Sequence, residues 1–160
     1  MSCVTWCDYD GTIPDKQDPD SQLAEWEIDL ATFSNWLNNQ MLGIFEKKVP
    51  VIPSQLYVAV HSTLCSAASP GTELSGDGYA RVPVYFERVS DIQRWSLSTA
   101  TTPAASADWS VLSFSLWDDA NPGGGNYYAF GNLTEEYTVL ATKAIQWQAN
   151  KIIIGMGSAA

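Results

Sequence analysis

Apolar and polar residues alternate from Pro53 onward, and this period of two is the feature that most limits how the chain can fold. Residues 55–62 are the clearest case, with three residues on each face of the predicted strand: Leu56, Val58 and Val60 against Tyr57, Ala59 and His61. Further strands are predicted at residues 81–89, 111–117, 127–133, 137–140, 144–148 and 151–155. Turn-forming clusters separate them and no helical pattern intervenes, which argues against a parallel α/β fold. The sequence therefore predicts a mainly β protein, an antiparallel, jelly-roll-like β-sandwich over residues 53–160.

The pattern upstream is helical, since apolar residues recur there at steps of three and four. It predicts one amphipathic helix over residues 29–45, within a helical region 29–48. Asp29 is the expected N-cap, and Lys47 and Lys48 mark a basic C-terminal end. The predicted apolar stripe comprises Leu30, Phe33, Leu37, Met41 and Ile44.

Residues 1–28 form a third part, which is acidic and turn-rich and has few core candidates. We expect an extended arm or tether that becomes ordered only by lying on another surface. Cys3 and Cys7 lie in it at a spacing of four, with no histidine nearby, so two buried thiols are favoured over a zinc site. Whether these two cysteines pair is left open. With Cys65 the chain has three cysteines, an odd number that cannot form a complete disulfide framework.

Charge and composition exclude several classes of function. The formal net charge of −10 repels phosphate backbones and anionic membrane surfaces, so no nucleic-acid or membrane partner is expected. The sequence contains neither a long apolar run nor a basic start before an apolar segment, which predicts a soluble protein made in the cytoplasm.

Two enzyme-like or metal-like patterns lie in the arm. Residues 8–12, DYDGT, resemble the nucleophile motif of haloacid-dehalogenase-like phosphatases, in which the first aspartate attacks phosphorus. Against this, the preceding strand is short, the crossover helices of a parallel sheet are missing, and no lysine lies between Ser62 and Asp118 to hold the phosphate. The aspartates also permit a loose calcium site, but not an EF-hand, because the glycine comes too early: Asp8, Asp10, Asp15, Asp18 and Asp20.

The remaining candidates have structural explanations. His61 is the only histidine, and its neighbours Ser62 and Cys65 do not by themselves indicate a nucleophile pair. Residues 123–125, GGG, predict a hairpin loop, since no helix pattern follows them. The surplus of aromatic residues could serve carbohydrate stacking or packing in the core and at interfaces, and packing is favoured. These residues are Trp95, Trp109, Trp117, Tyr127, Tyr128 and Trp147. No catalytic, cofactor-binding or metal-binding residue is therefore assigned, and no cofactor is expected.

The most specific sequence motif is GTELSGDGYAR at residues 71–81, in which Gly76, Asp77 and Gly78 suit a tight reversal before a strand. This segment is similar to GTEVSGGGYAR in the small tailed-phage virion proteins often called tail-fibre-like proteins. Residues 53–62, PSQLYVAVHS, resemble the family's P-x-x-LYVAL-x-T strand, and residues 123–134, GGGNYYAFGNLT, resemble its GGNLLYYGALT. The chain departs from the family pattern in its 28 leading residues, in Asp77, which replaces a glycine, and in heavy Trp117 and Trp147.

The resemblance implies a non-enzymatic structural protein on the surface of the virion. Because no shaft-forming heptads or repeats are present, a knob-like capsid decoration subunit docked through residues 1–28 is favoured. The expected partners are the major capsid protein or other virion proteins, together with further copies of the chain. The alternative is a tail-fibre or baseplate component that contacts a host receptor or glycan through the loop at residues 118–128, and the third hypothesis is the phosphatase.

Overall fold

The computed structural model describes residues 23–25, 28–29, 32–76, 78–88, 93–96, 100–149 and 151–155. The described elements are twelve strands, one α-helix (α1, Asn35–Gly43) and one 3-10 turn (Ile44–Glu46). The strands are β1 (Leu23–Glu25), β2 (Ile28–Asp29), β3 (Thr32–Phe33), β4 (Leu56–His61), β5 (Val82–Val84), β6 (Phe86–Arg88), β7 (Gln93–Ser96), β8 (Ala100–Thr101), β9 (Trp109–Trp117), β10 (Tyr127–Val139), β11 (Ala144–Trp147) and β12 (Ile152–Gly155). The prediction of a mainly β protein is confirmed.

The largest sheet has five antiparallel strands in the order β3-β10-β9-β4-β5. Its central strands β4 and β9 are buried on both faces, because alternate residues enter two different apolar clusters. Val58 and Val60 enter the main core, whereas Ala59 packs on the opposite face with Trp117 and Tyr127. The predicted strand at residues 55–62 is therefore confirmed, with both of its faces covered.

The remaining described strands form two smaller sheets, with the orders β1-β11-β8 and β2-β12-β7-β6. The main core joins them to the large sheet, since buried Ala100, Ile145, Trp147 and Ile152 belong to the same cluster as the large sheet's valines. Phe114 of β9 meets Trp147 of β11 edge to face, with ring centroids 5.6 Å apart. The antiparallel sandwich thus has its core between the sheets, and the two parallel pairings are those of β1 with β11 and β2 with β12.

The predicted helix start at Asp29 is wrong. Ile28–Asp29 and Thr32–Phe33 are strands, and the helix begins after Ser34, whose Oγ accepts a hydrogen bond from Leu37 N. Strand pairing with β12 and β10 determines the structure of residues 28–29 and 32–33, and these partners are more than 90 residues away in sequence.

The two strands predicted at residues 127–133 and 137–140 are a single strand, β10. Its register against β9 shifts between Asn132 and Tyr137, and this irregularity accommodates the polar residues 134–136, which separated the two predicted strands. Conversely, the strand predicted at residues 81–89 divides at Tyr85 into β5 and β6, which belong to different sheets. Within the arm predicted at residues 1–28, residues 23–25 and residue 28 lie in β1 and β2, whereas residues 1–22, with Cys3, Cys7 and the five arm aspartates, lie outside the described residues.

Candidate functional site

A largely buried ion pair joins Glu73, near the start of the GTELSGDGYAR segment, to Arg81 at its end. Arg81 donates from Nε to Glu73 Oε1 and from Nη2 to Glu73 Oε2, each at 2.7 Å. The Arg81 side chain has no exposed surface, and that of Glu73 is 12% exposed. Burial alone would raise the pKa of Glu73, but the hydrogen bonds and charge of Arg81 outweigh it and hold that pKa below its usual 4.5. The pair is therefore ionised at neutral pH, in the bidentate geometry that gives the strongest protein ion pairs.

The ion pair also fixes the loop at residues 118–126. Arg81 Nη1 donates to the carbonyls of Asp119 (2.7 Å) and Gly124 (3.0 Å), while Gly123 N donates to Glu73 Oε2 (3.2 Å). Within the loop, Asp118 accepts two hydrogen bonds from Asn126, at 2.6 and 2.8 Å. Most of the loop's polar groups are thus committed to holding its own shape.

Two loop glycines allow a matched pair of substitutions. Gly123 and Gly125 have nearly the same positive φ, +78° and +79°, but a Cβ on Gly123 would meet nothing within 4 Å, whereas one on Gly125 would lie 2.5 Å from Asp118 Oδ1 and 2.6 Å from Asp119 Cβ. We expect Gly123→Ala to cost only the backbone strain, about 1 kcal/mol. Gly125→Ala should cost about 2 kcal/mol more, because the loop must also move. Urea denaturation of both variants measures the difference, and equal costs would contradict this packing.

Trp117 contacts two other side chains, Arg81 and Tyr127. The Arg81 guanidinium is 4.2 Å from the Trp117 ring centroid, and the Tyr127 ring is 5.5 Å away in a tilted arrangement. Trp117 is 8% exposed, so its faces are not available for a sugar ring. Trp109, Tyr127, Tyr128 and Trp147 are buried as well, which confirms the preference for packing over carbohydrate stacking at these positions. The Trp95 side chain lies outside the described part of the structure.

A shallow groove of about 380 Å³ opens beside this cluster, and its walls include His61, Glu73, Leu74, Trp117 and Pro122. His61 is fully buried, and its Nε2 lies 2.6 Å from Ser115 Oγ, which also accepts from Trp117 Nε1 at 2.7 Å. His61 Nδ1 finds no hydrogen-bond partner among the described residues. Burial lowers the pKa of His61 from 6.5 to about 4, with Glu73 opposing the shift and Arg81 adding to it.

This depressed pKa predicts a specific pH dependence of stability. Between pH 6.5 and 4 the unfolded chain binds a proton at His61 and the folded chain does not, so stability present above pH 6.5 is lost as the pH falls through this window. The loss should approach about 3 kcal/mol and should disappear in His61→Gln. Urea denaturation at half-unit pH steps measures it. A wild-type curve parallel to that of His61→Gln above pH 4.5 would contradict the account, since both proteins carry the same carboxylates and differ only at His61.

Exposed apolar side chains are concentrated at the C-terminal end of α1 and in the chain that follows it. Residues 41–52, here called the apolar segment, run from the end of α1 through the 3-10 turn to the chain before β4. Seven large side chains in it are between 38% and 88% exposed: Met41, Leu42, Ile44, Phe45, Val49, Val51 and Ile52. Of the predicted apolar stripe, Phe33 and Leu37 are partly buried against the core and Met41 and Ile44 are exposed, while Leu30 lies outside the described residues. The periodicity of the sequence did not predict this exposed surface, although apolar residues are repeated around Pro50 and Pro53.

The other sequence candidates that lie in the described part of the chain do not form a reactive site. Asp8 and Asp10 of the phosphatase-like motif lie outside the described residues. Asp118 and Asp119 are engaged by Asn126 and Asn121, and Cys65 is buried, where desolvation raises the pKa of its thiol. Among the described residues, no group of three or more His, Cys, Asp and Glu side chains could hold a metal ion. No helix in the described part of the chain is long and apolar enough to cross a membrane.

Comparison with known proteins gives one family. The family model described as podophage GP4 fiber I protein gp80 matches residues 32–155, from β3 to the end of β12. The match includes the Glu73–Arg81 pair, the loop at residues 118–126 and the apolar segment. No curated protein matches the chain.

Proposed function

Because the chain belongs to the podophage GP4 fiber I protein gp80 family, we propose that it is a non-enzymatic subunit of a virion fibre, held in the particle by protein–protein contacts. Membership of the family makes it a phage fibre structural protein located in the virion. The described residues supply what such a subunit needs, a rigid β-sandwich and an accessible apolar surface.

The apolar segment carries the proposal. Folded monomers seldom expose contiguous apolar patches larger than a few hundred Å², because water contact with such a patch is unfavourable. Phe45 and Val49 are 87% and 88% exposed, which is close to complete exposure. A protein partner in the assembled particle would remove this surface from water.

The receptor-binding alternative receives less support from the same structure. The loop at residues 118–126 uses its carboxylates within the loop and its carbonyls for Arg81, and Trp117 is only 8% exposed. The capsid-decoration hypothesis needs the same contact surface and differs only in where the subunit sits. Docking through residues 1–28 also stays a prediction, since residues 1–22 lie outside the described structure.

Gradient-purified particles test whether the chain is a virion component. Quantitative mass spectrometry should find it in particles at a fixed copy number, and particles made without its gene should lack fibres. Recovery of the chain only from the soluble fraction of the lysate would overturn the proposal. Phosphate release from a model substrate that Asp8→Ala abolishes would favour the phosphatase hypothesis instead.

A further inference from the structure

The apolar segment is held in one conformation rather than hanging from the helix. Gly43 is buried, and Lys48 N donates to its carbonyl at 2.9 Å, after Lys47 reverses the chain with φ +63°. Val51 N then donates to Gln40 Oε1 at 3.2 Å, so the chain returns along the helix. A surface that is already ordered loses less conformational entropy when it binds a partner.

The helix that presents the segment is itself fixed to the large sheet. Ser34 N donates to the Tyr128 carbonyl at 2.9 Å, and Ser34 Oγ donates to the Tyr127 carbonyl. The Trp36 ring meets that of Tyr128 at a centroid distance of 4.7 Å. The apolar segment thus moves with the β-sandwich, as a permanent contact surface should.

The exposed area corresponds to that of a stable interface. If a fully exposed large apolar residue contributes about 200 Å², the seven side chains expose on the order of 900 Å². One partner of a standard protein–protein interface contributes about 800 Å². The segment alone is therefore large enough for one complete interface.

The charge of the segment permits contact with a second copy. The chain as a whole carries −10, but the charged residues in 41–52 are Glu46, Lys47 and Lys48, which sum to +1. Glu46 and Lys48 form an exposed ion pair at 2.5 Å. Two such surfaces related by symmetry present both signs to each other, so they avoid the like-charge repulsion expected elsewhere between copies of an acidic chain.

We propose that the apolar segment is a self-association surface, and that its occupant is the same segment of a second copy of this chain. This inference rests on the proposed function, because it names the partner of the surface that carries it. The contact buries Phe45 and Val49 at its centre, with Glu46, Lys47 and Lys48 at its edge.

Sedimentation velocity of the full chain at about 100 µM tests the proposal. The wild type should sediment as a dimer or a higher symmetric oligomer, and Phe45→Asp/Val49→Asp should weaken self-association at least about 100-fold. Both positions are almost fully exposed, so thermal stability should change little. Tyr85→Asp/Leu140→Asp is the matched control, since it adds the same charge at two other exposed positions, each 56% exposed. A monomeric wild type, or equal effects of the two double variants, would overturn the proposal.

A photocrosslink identifies the occupant directly. With p-benzoylphenylalanine in place of Phe45 in the full chain, we expect a crosslink to residues 41–52 of another copy. A crosslink only within the same chain, or only to a different virion protein in infected cells, would overturn self-association. Neither result would affect the proposed function if mass spectrometry still finds the chain in particles, so the two failures can be told apart.

Discussion

Arg81→Met is expected to lower the free energy of unfolding by about 3–5 kcal/mol, because it leaves the carboxylate of Glu73 without its charged partner in a largely buried site. The carbonyls of Asp119 and Gly124 lose donors in the same step, so the loop at residues 118–126 should also loosen. Urea denaturation measures the stability, and hydrogen exchange of the loop amides measures the local effect.

The control for this variant is Lys48→Ala. It also breaks an ion pair, but that pair is exposed, and such pairs contribute about 0–1 kcal/mol. Replacing both members of the buried pair, in Glu73→Leu/Arg81→Met, should recover part of the stability because no charge is left unpaired. If Arg81→Met were as mild as Lys48→Ala, the ion pair could not be what fixes this region.

Trp147→Ala should cost about 3–5 kcal/mol, because it leaves a large cavity where the sheets meet. Trp147 is fully buried and contacts Phe114 across the core, edge to face. Its Nε1 finds no hydrogen-bond partner among the described residues, so Trp147→Phe should be much milder than the alanine variant. Thermal and urea denaturation of both variants provide the measurement.

A double-mutant cycle with Phe114→Ala isolates the contact between the sheets. If the rings touch as described, the sum of the two single losses of stability should exceed the loss in the double variant by about 0.5–1.5 kcal/mol. Leu140→Ala is the exposed control and should change stability by less than about 0.5 kcal/mol. Strict additivity of Trp147→Ala and Phe114→Ala would contradict the packing of β11 against β9.

Much of the β architecture could be predicted because the alternation that indicates a strand depends only on residues close together in the sequence. The period-two pattern located β4 within a residue at each end, and the predicted strand at residues 151–155 corresponds to β12, Ile152–Gly155. The short strands β7 and β8 were missed, since two to four residues do not establish a period.

The predictions failed where contacts with residues distant in the sequence determine the local structure. Asp29 and Ser34 are both acceptable N-caps by sequence, and the pairing of β2 and β3 with strands from the far end of the chain determines which one is used. The role of Arg81 likewise depends on the loop at residues 118–126 folding back beside it. Periodicity indicated that Met41 and Ile44 share a face with Leu37, but only the packing reveals that this face leaves the core halfway along the helix.

Immunogold electron microscopy of intact particles, with antibodies raised against the whole chain, tests the fibre assignment most directly. The account predicts gold on the fibres, at one reproducible position along them. Gold spread evenly over the capsid would contradict the assignment and support a decoration subunit.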